Sequence, residues 1–175
     1  MKLQVRHCIL CLLCLSAFTL DTKSQTFTLD IRTDSMAYLV LHDSISHEVL
    51  SRWRLPYPTY GFCTGDVNRD GSLDALVGVV KPTRFNPVMA RRLFVFKQVE
   101  GRIRPLWLGS KLGPYIEDFR FVDGCVRCLH RTDEDKYSVV DYRWGSFGPS
   151  DATVLAEDIG KEEATNIFGA EGGRR

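Results

Sequence analysis

Short runs in which apolar and polar residues alternate, separated by turn residues, recur along most of this chain. In the segment 27–32 every second residue is apolar. Side chains of a β-strand point alternately to the two faces of a sheet, so this pattern predicts a half-buried strand. Similar or continuously apolar, β-branched runs follow at 36–41, 73–80, 92–99, 102–108 and 137–144. We therefore predict a mainly β fold, a small antiparallel domain built of hairpins, rather than an α/β enzyme fold.

The segment 119–130 has the sharpest hairpin signal. Asp123-Gly124 favours a two-residue type I′ turn, and apolar residues alternate on both sides of it. Counting outward from this turn puts five residues on one face: Phe119, Phe121, Val126, Cys128 and His130. Because aromatic and aliphatic residues share that face, we expect it to pack in the core.

Length and charge exclude several classes of protein. A chain of 175 residues suits one domain, or one domain with a tail. Its formal net charge is +1. A nucleic-acid surface would need clustered lysines and arginines, so we expect no nucleic-acid partner.

The first 24 residues have the features of a secretory signal peptide. Lys2 and Arg6 form a basic start, and an apolar run of about a dozen residues follows at 8–18. A membrane-spanning helix needs roughly 18 or more apolar residues, so this run is too short to span a bilayer. We expect residues 1–24 to be removed, with cleavage after Thr19 as the alternative. The mature chain is then exported (periplasmic, cell-surface or secreted) and has no transmembrane span.

Residues 25–150 form the predicted β domain, and residues 151–175 a polar, partly disordered tail. After Gly145 the alternation fades. Between residues 151 and 168 a short helix could form around three apolar residues: Val154, Leu155 and Ile159. The glycine-rich end, 169–175, has nothing that could form a core, so we expect it to be flexible.

One segment carries oxygen-bearing side chains at the spacing of a calcium loop. The stretch DVNRDGSLD, 66–74, has them at positions 1, 3, 5, 7 and 9: Asp66, Asn68, Asp70, Ser72 and Asp74. Calcium takes six to eight oxygen ligands, and at position 7 the backbone carbonyl serves. Gly71 occupies position 6, where the chain turns sharply and a positive φ is needed. We predict one structural Ca²⁺ ion here; the alternative is a solvated turn.

The exit of this loop separates it from an EF-hand. Position 12 is Val77, inside a β-type run, where an EF-hand has a bidentate acid. With its strand exit and its acid at position 9, the stretch 65–79 (GDVNRDGSLDALVGV) resembles the calcium loop of FG-GAP/VCBS repeats, the blade units of integrin-type β-propellers. The resemblance covers about 61–109 and occurs once. It implies a blade-like β unit in an adhesion or ligand-binding context.

A closed propeller typically needs four to eight blades, and about 150 mature residues supply two or three. We therefore expect a partial, blade-like domain. One subunit of an oligomeric propeller is the alternative.

Three cysteines remain after the signal peptide: Cys63, Cys125 and Cys128. The last two form a CxxC, but residues three apart on a strand point to opposite faces, so we expect neither a redox pair nor a zinc site. A disulfide in the exported chain would join Cys63 to one of them.

These features favour a non-enzymatic, exported β domain with one calcium ion, a binding or accessory surface protein for a protein or carbohydrate ligand. The alternative is a small secreted hydrolase that uses His42 or His130. A pocket joining one of these histidines to Ser or Asp would favour the hydrolase. An isolated histidine packed in a core would argue against it.

Overall fold

Three antiparallel sheets, each made of strands that are consecutive in the sequence, form the protein. The computed structural model describes residues 24–84, 86–109 and 112–171. Sheet 1 contains β1 (Gln25–Thr33), β2 (Met36–Asp43) and β3 (Val49–Leu55). Sheet 2 contains β4 (Thr59–Gly65), β5 (Asp74–Thr83), β6 (Asn86–Val99) and β7 (Arg102–Leu108). Sheet 3 contains β8 (Tyr115–Val122), β9 (Cys125–Asp133), β10 (Lys136–Gly145) and β11 (Gly148–Ile159), followed by the helix α1 (Lys161–Gly169). The predicted mainly β fold of hairpins is confirmed.

Sheet 2 is the middle layer, and both of its faces are buried. Val77 and Phe96 pack with sheet 1 in one core, whereas Leu76 and Val95 pack with sheet 3 in a second core. A strand that is buried on both faces reads as a continuous apolar run, which explains the sequence LDALVGVV at 73–80. The two cores share the backbone of β5 and β6.

Sheets 2 and 3 approach closely because glycines on sheet 2 leave room for aromatic rings on β8. A Cβ atom at Gly65 would lie 2.0 Å from Cδ1 of Phe121, and one at Gly78 would lie 2.7 Å from Cε1 of Phe119. The opening strands of the three sheets contact one another in turn, β1 with β4 and β4 with β8.

The outward faces of the two outer sheets are covered or polar. In sheet 1 the face turned away from sheet 2 carries side chains such as Thr28, Asp30 and Arg52. In sheet 3 the outward face carries Leu129 and Val139, and α1 packs on it. The stack of sheets therefore presents mainly polar groups at both ends.

Two arginines of sheet 3 hold the C-terminal end of α1. Arg127 is nearly buried and forms a two-pronged ion pair with Asp141, with N–O distances of 2.7 and 3.0 Å. Its Nη1 also donates to the carbonyl of Ala170 at 2.8 Å, and Arg120 donates to the carbonyl of Gly169 at 2.8 Å. Cations bonded to the free carbonyls of a helix C-terminus satisfy them and oppose the helix dipole.

The hairpin at 119–130 has the predicted register. Phe121 pairs with Val126 and Phe119 with Cys128, and His130 lies on the same face. Asp123 and Gly124 have φ angles of 48° and 74°, as a type I′ turn requires.

β11 runs across residue 150, which is the predicted end of the β domain. The residues Val154, Leu155 and Ile159 lie on this strand and not on the expected helix, which begins only at Lys161. β11 is the edge of sheet 3, so most of its side chains are exposed and its sequence reads as polar coil. Of the tail predicted to be flexible, 172–175 lies outside the described residues.

The predicted signal peptide, apart from Ser24, also lies outside the described residues. Within the described ranges, no helix has the length and apolar character needed to cross a bilayer.

We predict that Arg127→Ala loosens α1. The change leaves the Asp141 carboxylate without its partner and removes the cap of the helix, so the free energy of unfolding should fall by about 3 kcal/mol. Urea unfolding and the binding of a hydrophobic dye to the uncovered sheet measure this. Arg32→Ala, which breaks the exposed pair with Asp30, is the control and should cost under about 1 kcal/mol. Equal losses in the two variants would contradict this account of the helix.

Candidate metal site

The loop that connects β4 to β5 contains all five residues predicted as calcium ligands. Gly65 pairs with Asp74 at the ends of the two strands, so the loop is closed by the sheet itself. Val67, between the first two predicted ligands, is only 2% exposed and belongs to the core between sheets 2 and 3. The sequence analysis did not identify Val67 as part of the site, although it is the single aliphatic residue between Asp66 and Asp70. This anchor fixes the loop against the core.

Carboxylates of the loop accept hydrogen bonds from its own backbone. Asp66 accepts from the N–H groups of Asp70 and Gly71 at 3.0 and 2.9 Å, and Asp70 accepts from the N–H of Ser72 at 2.9 Å. Gly71 has a φ of 82°, as expected for position 6, and Arg69 also has a positive φ of 59°. These bonds hold the chain in a tight turn whose backbone N–H groups are bonded to Asp66 and Asp70.

Asp74 is the buried member of the set. Its side chain is 0% exposed, and its Oδ2 accepts a hydrogen bond from the N–H of Val67 at 3.1 Å. Its Oδ1 is buried and accepts no hydrogen bond of normal geometry, although the backbone N–H of Asn68, like that of Val67, acts on the carboxylate and lowers its pKa. Burial, and secondarily the nearby charges of Asp70 and Asp66, raise the pKa of Asp74 to about 7. A buried carboxylate oxygen without a partner costs free energy unless a proton or a cation neutralises it.

The other two carboxylates are nearer to solvent. Burial raises the pKa of Asp70, but hydrogen bonds from Asn68 and Ser72 and the charge of Lys97 lower it, and the pKa falls overall. The Asn68 amide donates to Asp70 at 2.8 Å. Lys97, on the neighbouring β6, places a positive charge near this site. The spacing of the loop residues could not predict it.

The donor set fits a hard cation, although the carboxylates stand apart. Among residues 24–84, 86–109 and 112–171, no three His, Cys, Asp or Glu side chains lie close enough together to hold a metal ion. Asp70 is turned toward Asn68. A cation would need it to turn toward Asp74, whose free Oδ1 offers a ligand. All five positions offer oxygen ligands, four from side chains and one from the backbone carbonyl of Ser72, and oxygen is the ligand that calcium prefers and softer metals do not.

The two histidines of the hydrolase alternative are far from a catalytic arrangement. His130 is 0% exposed, and its Nε2 lies 3.0 Å from the hydroxyl of Tyr142 inside the second core. Burial lowers the pKa of His130 to about 4. His42 lies 3.0 Å from the hydroxyl of Thr28 across two strands of sheet 1. Neither histidine is among the residues that line the clefts of about 910 and 440 Å³.

The three cysteines described carry free thiols, so the expected disulfide is not formed in this structure. Cys63 packs against the core that contains Cys128, whereas Cys125 lies on the opposite face of β9, as its spacing predicts. Burial raises the pKa of Cys63 to about 11 and that of Cys128 still further. Neither thiol is activated.

A cleft of about 910 Å³ borders the loop. Gly71 and Ser72 form one wall, and residues near the start of β1 and the turn between β6 and β7 form the others. Its lining is mainly uncharged. Because Gly71 and Ser72 form one of its walls, the position of the loop affects the shape of this cleft.

No protein-family model matches the chain, and no curated protein matches it in sequence.

We predict that His130 makes the fold sensitive to acid. Its pKa is about 4 when folded and about 6.5 when unfolded, so the unfolded chain binds more protons between these values and stability falls as the pH drops below 6.5. The full contribution is about 3 kcal/mol. His130→Gln, which keeps a polar partner for Tyr142 and does not titrate, should lose this part of the acid response.

Urea unfolding from about pH 7 to about pH 4.5 measures the effect. Asp74 titrates in the same range with the opposite sign, since its raised pKa favours the folded state as the pH falls. The His130 contribution is therefore the difference between the wild type and His130→Gln. His42→Gln is the matched control. The same acid response in the wild type and in His130→Gln would show that His130 is not held neutral.

Proposed function

We propose that this chain is an exported β module that binds one calcium ion in the loop 66–74 and serves as a binding or accessory protein outside the cytoplasm. The observation that carries the proposal is the buried Oδ1 of Asp74, which has no partner. A protein rarely buries an unpaired carboxylate unless a bound group satisfies it. The other oxygen donors of the same loop make a divalent cation the most suitable group.

Calcium suits the loop better than other metals. Three carboxylates, one amide and the backbone carbonyl at Ser72 supply five oxygen ligands, and water can complete a shell of six to eight. Imidazole and thiolate, which zinc and copper prefer, are missing from the loop sequence. In the calcium form, Asp66, Asn68, Asp70, Ser72 and Asp74 would hold the ion. Its charge would neutralise Asp74 and fix the entry to β5.

The likeness to FG-GAP/VCBS blades supports the same proposal. The four strands of sheet 2, Thr59–Leu108, span the residues to which the resemblance extends, and the loop lies between the first two of them. In such a blade the ion has a structural role, and neighbouring surfaces bind the partner. We therefore assign the calcium to the stability of the module and not to catalysis.

The polar ends of the sheet stack favour a single chain over the alternative of a propeller ring made of several chains. α1 covers the outward face of sheet 3, and the residues it turns to solvent include Lys161, Glu162 and Glu163. Sheet 1 presents polar side chains such as Asp30 and Arg52 at the other end. Another blade would have to bury these charges, which costs free energy.

We predict that calcium raises the thermal stability of the protein. With about 2 mM calcium and a dissociation constant of about 0.1 mM, the gain is roughly 1.8 kcal/mol. For a domain of this size the melting temperature should rise by about 4–7 °C. Magnesium should substitute poorly, because it requires a tighter octahedral shell.

Two isosteric variants test whether the calcium effect depends on the loop. Asp74→Asn should abolish the shift, because it removes the buried charge without changing the shape of the side chain. Asp135→Asn, in the exposed turn between β9 and β10, should respond as the wild type does. If the wild-type melting curve is indifferent to both calcium and chelator, the loop is only a turn and the proposed function fails.

A further inference from the structure

A second cleft lies where the ends of sheets 1 and 2 meet, on the side away from the calcium loop. Its volume is about 440 Å³, within the range of small-ligand sites. β3 and the segment after it form one wall, and β5, β6 and β7 form the other. Six of its lining residues are aromatic or cationic: Trp53, Arg54, Tyr57, Lys81, Arg84 and Phe94.

Aromatic rings hold the ammonium group of Lys81 in place. Its Nζ lies 4.1 Å from the centre of the Tyr57 ring and 5.7 Å from that of Phe94. The two rings pack edge to face with their centres 6.5 Å apart, which fixes them relative to each other. A cation held over ring faces keeps its charge while it loses the freedom of a surface lysine. Lys81 is therefore a positioned cation at the edge of the cleft.

The charged residues that line the cleft are all positive. Arg54, Lys81 and Arg84 line it, and no Asp or Glu is found among the described residues that do so. The whole chain has a formal net charge of only +1, so three cations in one small cleft are a local concentration. A concave surface of one sign attracts a ligand of the opposite sign.

The uncharged part of the lining is mainly apolar. Leu55, Pro56, Leu108 and Trp53 contribute to it, and Thr83 adds a hydroxyl group. Such a surface fits the C–H face of a sugar ring, and guanidinium and ammonium groups fit a carboxylate.

We propose that this cleft binds a uronic acid residue of an acidic carbohydrate, with its carboxylate on Lys81 and its ring against the apolar wall. The inference rests on the proposed binding function and gives it a ligand class. Lys81 lies seven residues along β5 from Asp74, about 23 Å away. Loss of calcium binding and loss of sugar binding are therefore separable.

The test is an NMR titration of the protein with methyl glucuronide, with methyl glucoside as the neutral sugar of the same shape. Glucuronide should shift the amide signals of residues around Lys81 and Tyr57, and glucoside should bind at least about tenfold more weakly. Lys81→Gln should weaken the glucuronide about tenfold. Lys161→Gln, on the distant helix α1, removes the same charge and should have no effect. Addition of a chelator should leave the affinity for the glucuronide unchanged, whatever the outcome of the calcium experiment.

Three results would overturn the proposal. The first is equal binding of glucoside and glucuronide, or no binding of either up to about 50 mM. The second is equal loss in Lys81→Gln and Lys161→Gln, which would mean attraction by net charge alone. The third is binding of N-acetylglutamate or inorganic phosphate as tight as that of the glucuronide, which would assign the cleft to acidic peptides or to anions in general.

Discussion

The carboxylate of Asp74 connects the candidate metal loop to the centre of the fold. It is buried at the first position of β5, the strand whose two faces fill the two cores. Through the N–H of Val67 it also ties the loop to the core between sheets 2 and 3. A charge at this point acts on the middle sheet directly, and the middle sheet holds the outer two together. The neutralisation of one oxygen atom therefore bears on the stability of the entire stack.

Much of the fold could be predicted because side chains along a β-strand alternate between the two faces of the sheet, which gives the sequence a period of two residues. The alternation at 27–32 and the Asp123-Gly124 turn led to the correct strand and the correct register. The segment 148–159 was missed because an edge strand is held by backbone hydrogen bonds on one side only and leaves its side chains exposed. The sequence pattern records side-chain burial and not backbone pairing, so most of β11 was assigned to a polar tail that could form a short helix. For the same reason, the short helix was predicted too early in the chain, around residues 154–159, whereas α1 begins at Lys161.

The candidate sites were likewise predictable only in part from the sequence. The spacing from Asp66 to Asp74 and the positive φ of Gly71 follow from local chain geometry, and the sequence contained both. The missing partner of Asp74 Oδ1 depends on what packs around it from β4 and the core, which no local pattern records. The cleft proposed to bind a uronic acid was even harder to predict from the sequence. Its cations come from β3 and β5, and only the contact between sheets 1 and 2 brings them together.

The most direct test of the account is a crystal structure of the protein grown with calcium, examined for anomalous scattering at the loop. The account predicts one ion with oxygen ligands at about 2.3–2.6 Å from Asp66, Asn68, Asp70, Asp74 and the carbonyl of Ser72. The Asp70 carboxylate should have turned from Asn68 toward the ion, and Oδ1 of Asp74 should be a ligand. A loop that holds no ion at saturating calcium, with Asp70 still bonded to Asn68, would contradict it.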